Sequence, residues 1–192
     1  MTAISGESLP GWYLRLAAEL TAAGARAETL ARPLSAEQIN WKPSPQQWSI
    51  GQCLEHLSLS NETYVPAIVD ALTGPANGPV EEIKPGWLGR WFIRNYIEPS
   101  PTTRRGRAPK KIVPSSRVDP DILGRFLHSN DEVRKLARRA AGYDVNRIRF
   151  RNPYLSIIRF TVGTGLLIMP AHERRHLLQA ERIRESGAFP GR

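Results

Sequence analysis

The feature that most constrains the fold is a seam of inward-facing positions near the C-terminus. From residue 155 to residue 183, apolar side chains and two histidines recur at alternating steps of three and four. The members of the seam are Leu155, Ile158, Val162, Gly165, Met169, His172, His176, Gln179 and Ile183. This spacing is typical of the buried face of a helix, so it predicts a long interior helix over these residues.

Two properties of the same segment argue against a continuous helix. Residues 156–162 are rich in β-branched and aromatic side chains, which favour a strand. Gly163, Gly165 and Pro170 weaken or kink a helix. Because the seam runs through all of these positions, we still expect a helix. The main alternative is an α+β fold with a strand over residues 156–162.

Three further segments show helical periodicity. The first covers residues 9–31. The second follows Ser49 and Gln52, which form a capping box that satisfies two backbone donors at a helix start. The third follows Asp119, a capping residue, and Pro120, which suits the first helical position. Four helices in all are therefore predicted.

A long linker over residues 73–118 separates the second helix from the third. It contains seven prolines, and each proline removes a backbone donor. Residues 87–96 have amphipathic spacing and are predicted to form a short helix that covers the core. The pattern as a whole predicts an all-α bundle of four helices in one domain, residues 1–192, with residues 73–118 as the connection between helices 2 and 3.

Composition restricts the class of protein less than the helical pattern does. The 192 residues suffice for one domain with a hydrophobic core. We expect no signal peptide, because residues 1–11 carry no basic cluster and no apolar core. We also expect no membrane span, since the uncharged stretch 160–171 is shorter than the roughly 20 apolar residues that a span requires. The single cysteine, Cys53, excludes an internal disulfide and favours a cytoplasmic location. The net charge of +9 does not by itself distinguish nucleic acid, an anionic membrane surface and an anionic substrate as partners.

Two of the four histidines, His172 and His176, lie four residues apart on the seam. In a helix this spacing puts both imidazoles on one face, about 6 Å apart along the axis. Buried imidazole nitrogens carry a desolvation cost unless a partner satisfies them, and a pair on one seam favours a divalent metal over two hydrogen-bonded core histidines. His56, in the first turns of the second helix, is the best third ligand, whereas His128 has polar neighbours that indicate solvent.

Other residues near the histidine pair have competing interpretations. Residues 172–176 also match H-E-x-x-H, the zinc protease signature, with Glu173 as general base. We rank that hypothesis second, because Glu173 lies one step off the seam, where solvent exposure is expected. Gln179 is a candidate catalytic or ligand-orienting residue, with a polar residue at the bundle end as an equal alternative. For Cys53, a buried structural thiol is favoured over a soft metal ligand.

These motifs resemble those of the DinB-like (damage-inducible) four-helix-bundle superfamily. Residues 41–57 read WKPSPQQWSIGQCLEHL, similar to that superfamily's W-x-P-x-P, W-S-I and E-H-L pattern. Residues 172–180 read HERRHLLQA, similar to its C-terminal H-x-x-x-H-x-x-Q. The resemblance covers nearly the whole chain, although Pro170 is a departure that could shift the site.

The resemblance implies an antiparallel four-helix bundle with a long crossover between helices 2 and 3. It also implies a bacterial protein, often a homodimer, with zinc, nickel or iron on His56, His172 and His176. It implies an enzyme that acts on a small molecule, either a thiol S-transferase using a low-molecular-weight thiol or a hydrolase-like protein. The alternative is a non-catalytic binding or scaffold bundle whose basic run, residues 104–111, contacts nucleic acid or another anionic partner. We favour a solvated loop for that run, so nucleic acid is not the expected partner.

Overall fold

The computed structural model describes residues 9–99 and 108–191. Within those ranges four long helices form the body of the protein, as the periodicity predicts, and α1 and α3 each pack against both α5 and α6. The long helices are α1 (Gly11–Ala31), α3 (Ile50–Val69), α5 (Ile122–Ala140) and α6 (Val162–Arg184), and the short ones are α2 (Ala36–Asn40) and α4 (Trp87–Phe92). None of these helices is long and apolar enough to cross a membrane.

Local hydrogen bonds decide where two of the long helices begin. Ser49 and Gln52 form the predicted capping box at α3, with each side chain 3.1 Å from the other residue's backbone nitrogen. A second capping box, between Ser35 and Gln38, begins the short helix α2. The predicted start of the third helix at Pro120 is wrong. Asp119 and Pro120 form a turn closed by a 3.1 Å hydrogen bond from the Ile122 nitrogen to the Asp119 carbonyl, so α5 begins at Ile122.

A small antiparallel sheet corrects the expectation of an all-α fold. Strand β1 (Arg149–Arg151) pairs with β2 (Arg159–Thr161), and Phe150 lies opposite Phe160. Both phenylalanines are buried, so the apolar residues ahead of α6 pack through a hairpin. The predicted start of the last helix at Leu155 is therefore wrong, because α6 begins only after β2. The strand alternative describes this part of the chain correctly.

The aromatic segment after residue 86 is helical, as predicted. Helix α4 continues directly into a π-helix, Ile93–Ile97. Phe92 and Tyr96 stack on each other and pack against the core, which agrees with an amphipathic helix lying on the bundle. Trp87 and Trp91 are 75% and 45% exposed, so the opposite face of the segment carries two large apolar side chains in contact with solvent.

The glycines of α6 allow that helix to approach its neighbours closely. A Cβ added at Gly165 would lie 2.8 Å from Cδ1 of Ile68 and 2.8 Å from the ring of Phe150. A Cβ at Gly163 would lie 2.7 Å from Cγ2 of Ile83. All three distances are below van der Waals contact, so close packing explains why glycine stands at these two positions despite its low helix propensity.

A carboxylate lies in the centre of the bundle. Glu173 has no exposed surface, and its two oxygens accept hydrogen bonds of 2.9 Å each from the amide nitrogens of Asn61 on α3 and Asn130 on α5. Burial raises the pKa of Glu173 to about 7, and the two amide hydrogen bonds oppose that rise. The expectation that Glu173 is solvated is therefore wrong.

The close approach of α6 predicts that Gly165→Ala destabilises the fold by about 1–3 kcal/mol, the usual cost of overpacking. That loss should outweigh the roughly 1 kcal/mol that alanine gains over glycine in helix propensity. Gly24→Ala, inside α1, is the matched control, since its added Cβ would make only ordinary contacts, at 3.5 Å from Leu127 and 3.9 Å from Asn130. Urea unfolding followed by circular dichroism measures both free energies. A Gly165→Ala protein as stable as the parent would show that the contact is not tight.

The buried carboxylate predicts that Asn130→Ala lowers the free energy of unfolding by about 1–3 kcal/mol, because one oxygen of Glu173 loses its donor. In a Glu173→Met background the same change should cost less, since no carboxylate remains to be satisfied. The Asn130 amide also donates to the Leu20 carbonyl at 3.1 Å, so a smaller cost should persist. A double-mutant cycle measured by urea unfolding separates the Asn130–Glu173 contribution from the Asn130–Leu20 contribution. If the costs of Asn130→Ala and Glu173→Met were strictly additive, the two side chains would not interact.

Candidate metal centre

Three histidines from two helices converge between α3 and α6. His56 lies on α3, while His172 and His176 lie one turn apart on α6. One ring nitrogen from each lies within 4.8 Å of the other two, and the Nε2 atoms of His56 and His172 are 3.1 Å apart. The structure thus brings together the three histidines selected from the sequence, whereas His128 is exposed on α5. Pro170 lies inside α6 without interrupting the helix that presents the pair.

Two of the three rings are held by a hydrogen bond from the nitrogen that faces away from the cluster. His56 Nδ1 lies 2.7 Å from the backbone carbonyl oxygen of Ile112, and His176 Nδ1 lies 3.0 Å from Oε1 of Gln179. A carbonyl oxygen only accepts, so each Nδ1 carries the hydrogen and each Nε2 of a neutral ring keeps its lone pair. Hydrogen bonds of this kind set the tautomer and orientation of metal-binding histidines.

The surroundings favour the neutral form of all three imidazoles. Burial is the largest cause: it lowers the pKa of His56, and it lowers the pKa values of His172 and His176 well below the usual histidine value. The positive charge of Arg175 lowers all three pKa values further. Neutral imidazole is the form that binds a metal, so these side chains are in the protonation state that a metal site requires.

The donor set fits a divalent transition metal. Two nitrogens bound to one tetrahedral zinc ion at about 2.0–2.1 Å lie about 3.3 Å apart. The Nε2 atoms of His56 and His172 are separated by a similar distance, 3.1 Å. The same distance also suits a hydrogen bond in which His172 Nε2–H donates to the lone pair of His56 Nε2. A metal ion bound between these two nitrogens would replace that hydrogen. Among divalent ions, imidazole nitrogen suits zinc, copper, iron and nickel.

Two residues of the centre were missed in the sequence. The indole of Trp48 lies against two of the histidines, with its ring centroid 4.7 Å from that of His56 and 5.6 Å from that of His176. Ile112 contributes only its carbonyl group and comes from the linker, in a 3₁₀ turn over Lys110–Ile112. Trp48 lies in the W-S-I stretch of the motif but has no metal-binding atom, and a backbone carbonyl leaves no mark in the sequence, so neither was assigned to the site.

Several other candidates lie away from the cluster. Cys53 is completely buried in the hydrophobic core, and burial strongly raises the pKa of its thiol, which agrees with a structural role. The carboxylate of Glu173 is engaged by asparagines of α3 and α5, an arrangement that suits a structural group better than a general base. Of the basic run, residues 104–107 lie outside the described residues, while Lys110 and Lys111 are exposed.

The fold is similar to that of YfiT from Bacillus subtilis, which is described as a probable metal-dependent hydrolase with an unusual four-helix bundle topology. The two chains are 14% identical with a TM-score of 0.59, and the match covers 94% of this chain and 90% of YfiT. At that identity the likeness establishes the fold alone. A comparison with curated proteins finds no match.

A sequence model of the DinB superfamily matches residues 19–180, more than four fifths of the protein. That range includes both motifs on which the resemblance rests, together with His56, His172 and His176. The capping box at the start of α3 and the histidine pair on α6 both lie within the matched residues. The chain belongs to the DinB superfamily.

Proposed function

We propose that this protein is a divalent-metal-dependent enzyme that acts on a small molecule. The observation that supports the proposal is the convergence of three neutral imidazoles, two of them anchored through their outer nitrogens. The description of YfiT as a probable metal-dependent hydrolase is consistent with it. Thiol S-transfer, which the resemblance implies, is the second reaction type under consideration.

His56, His172 and His176 would hold the metal, and zinc, nickel or iron fits these donors. Three protein ligands leave at least one coordination position for another molecule, which is typical of catalytic rather than structural zinc sites. A bound metal supplies a Lewis acid that lowers the pKa of a water molecule or a thiol. His172 retains partial exposure, which provides a route of approach for a substrate.

Residues around the histidines prepare the site for this chemistry. The Ile112 carbonyl and Gln179 hold two rings in the tautomer that leaves Nε2 free to bind, so we assign Gln179 as a positioning residue. Arg175 brings a positive charge close enough to lower the pKa of every histidine in the cluster. The same charge would stabilise an anionic reactant. The indole of Trp48 packs against His56 and His176 and covers one side of the site.

The proposal predicts about one divalent metal ion per chain, bound to the imidazoles. Elemental mass spectrometry of the untagged protein should detect this ion, and the His172→Ala, His176→Ala double variant should lose it. His128→Ala is the matched control, because that histidine is exposed on α5, and it should retain the metal. A parent protein without metal, even after incubation with zinc, nickel or iron(II), would overturn the proposal.

The two reaction types differ in their requirement for a thiol. The metal-loaded protein is incubated with an electrophile and a small thiol, and separately with carboxylic esters and amides in the absence of thiol. Product that forms only with thiol would establish transfer, and product that forms from water alone would establish hydrolysis. Activity in either assay should disappear in the double histidine variant. A metal-loaded protein inactive in both assays would argue for a non-catalytic bundle.

The contact between Gln179 and His176 predicts that Gln179→Ala weakens metal binding by about 10–100-fold, the usual effect of removing such a partner. Gln179→Glu keeps an acceptor oxygen and should preserve most of the affinity. Competition with a chromophoric chelator measures both changes, and Gln46→Ala, at an exposed position, is the control. An unchanged affinity in Gln179→Ala would show that this hydrogen bond does not organise the site.

A further inference from the structure

A groove lies on the side of α6 that faces away from the histidines. It has a volume of about 960 Å³ and lies between α6 and the segment formed by α4 and the π-helix. Leu167, Pro170 and Arg174 line it from α6. At about 100° per residue these positions point roughly half a turn away from His172 and His176. The groove is therefore separate from the candidate metal centre.

The charges in the groove are not balanced. Arg174 donates hydrogen bonds to Glu19 and Glu98, so the two carboxylates that line the groove already have a cationic partner. Arg90 and Arg94 also line it, are exposed, and have no ion-pair partner within the described part of the chain. Residues four apart on a helix are neighbours, so two guanidinium groups one turn apart are available to an anion.

The groove also has an apolar wall. Trp91 and Ile93 form it on one side, and Leu167 and Pro170 form it on the other. Trp91 stays 45% exposed although its ring is held edge-on against Tyr96, with 5.4 Å between the ring centroids. A large aromatic surface that is fixed in place and still open to solvent can stack against a flat ligand at a small cost in side-chain entropy.

We propose that this groove binds a small amphipathic anion, namely a planar apolar ring system that carries a carboxylate or phosphate group. The ring would lie against Trp91 and the apolar wall, and the anionic group would reach Arg90 and Arg94. Guanidinium groups match both kinds of anion with paired hydrogen bonds. The volume lies within the range of about 300–1,000 Å³ that is usual for small-molecule sites. Aromatic acids and nucleotides share this chemistry.

The test is isothermal titration calorimetry with 2-naphthoate and adenosine monophosphate as the two anionic probes and 2-naphthamide as the neutral analogue. At least one anion should bind, and naphthoate should bind more tightly than the amide. The Arg90→Gln, Arg94→Gln variant should weaken anion binding by about tenfold or more, the loss expected for charge-assisted hydrogen bonds. The control, Arg149→Gln with Arg151→Gln, removes the same charge from exposed positions on β1 and should leave the affinity unchanged.

The histidine double variant should bind the same anions as tightly as the parent, because the groove does not use the metal centre. Three results would overturn the proposal: no binding of either anion, equal affinities for naphthoate and its amide, or an equal loss of affinity in the control. Pelleting with phosphatidylglycerol vesicles that depends on Arg90 and Arg94, without binding of the small anions, would overturn it in favour of a membrane surface.

Discussion

The contact between α3 and α6 determines both the core and the candidate site. Gly165 lets α6 approach so closely that a methyl group there would collide with Ile68 on α3. Further along the same interface this proximity brings His56 of α3 within 3.1 Å of His172 of α6. A metal site made from side chains of two helices needs a defined helix separation, and tight packing without space for a Cβ provides it.

Polar groups in the interior of the bundle define how α6 sits against its neighbours. Glu173 is buried one residue after His172, and its carboxylate is satisfied only when Asn61 of α3 and Asn130 of α5 lie opposite. A displacement of α6 by one turn would leave these groups unpaired in a medium where an unpaired polar group costs about 1–3 kcal/mol. The network therefore favours the register in which His172 and His176 meet His56, which gives the H-E-x-x-H string a structural role here.

The linker contributes to two separate regions of the molecule. Its 3₁₀ turn brings the Ile112 carbonyl to His56, so a backbone group that is 56 residues away in the chain orients a metal-ligand candidate. Its α4 and π-helix segment lies on α6, where Arg175 donates to the Tyr96 carbonyl and Arg174 to Glu98. The candidate metal centre and the groove thus lie on two faces of one helix, both completed by residues of the same linker.

Local patterns in the sequence determined the four long helices, the capping box at Ser49 and the three histidines, because helical periodicity and capping depend on residues a few positions apart. The tertiary structure alone decided that the apolar run before α6 forms a hairpin, since Phe150 and Phe160 become buried only by pairing across strands. It also decided the burial of Glu173, whose hydrogen-bond partners are 112 and 43 residues away. Contacts between distant residues leave no periodic mark in a single sequence. The three histidines of the candidate metal centre could therefore be selected from the sequence, whereas the groups that support them and the groove beside α4 could not.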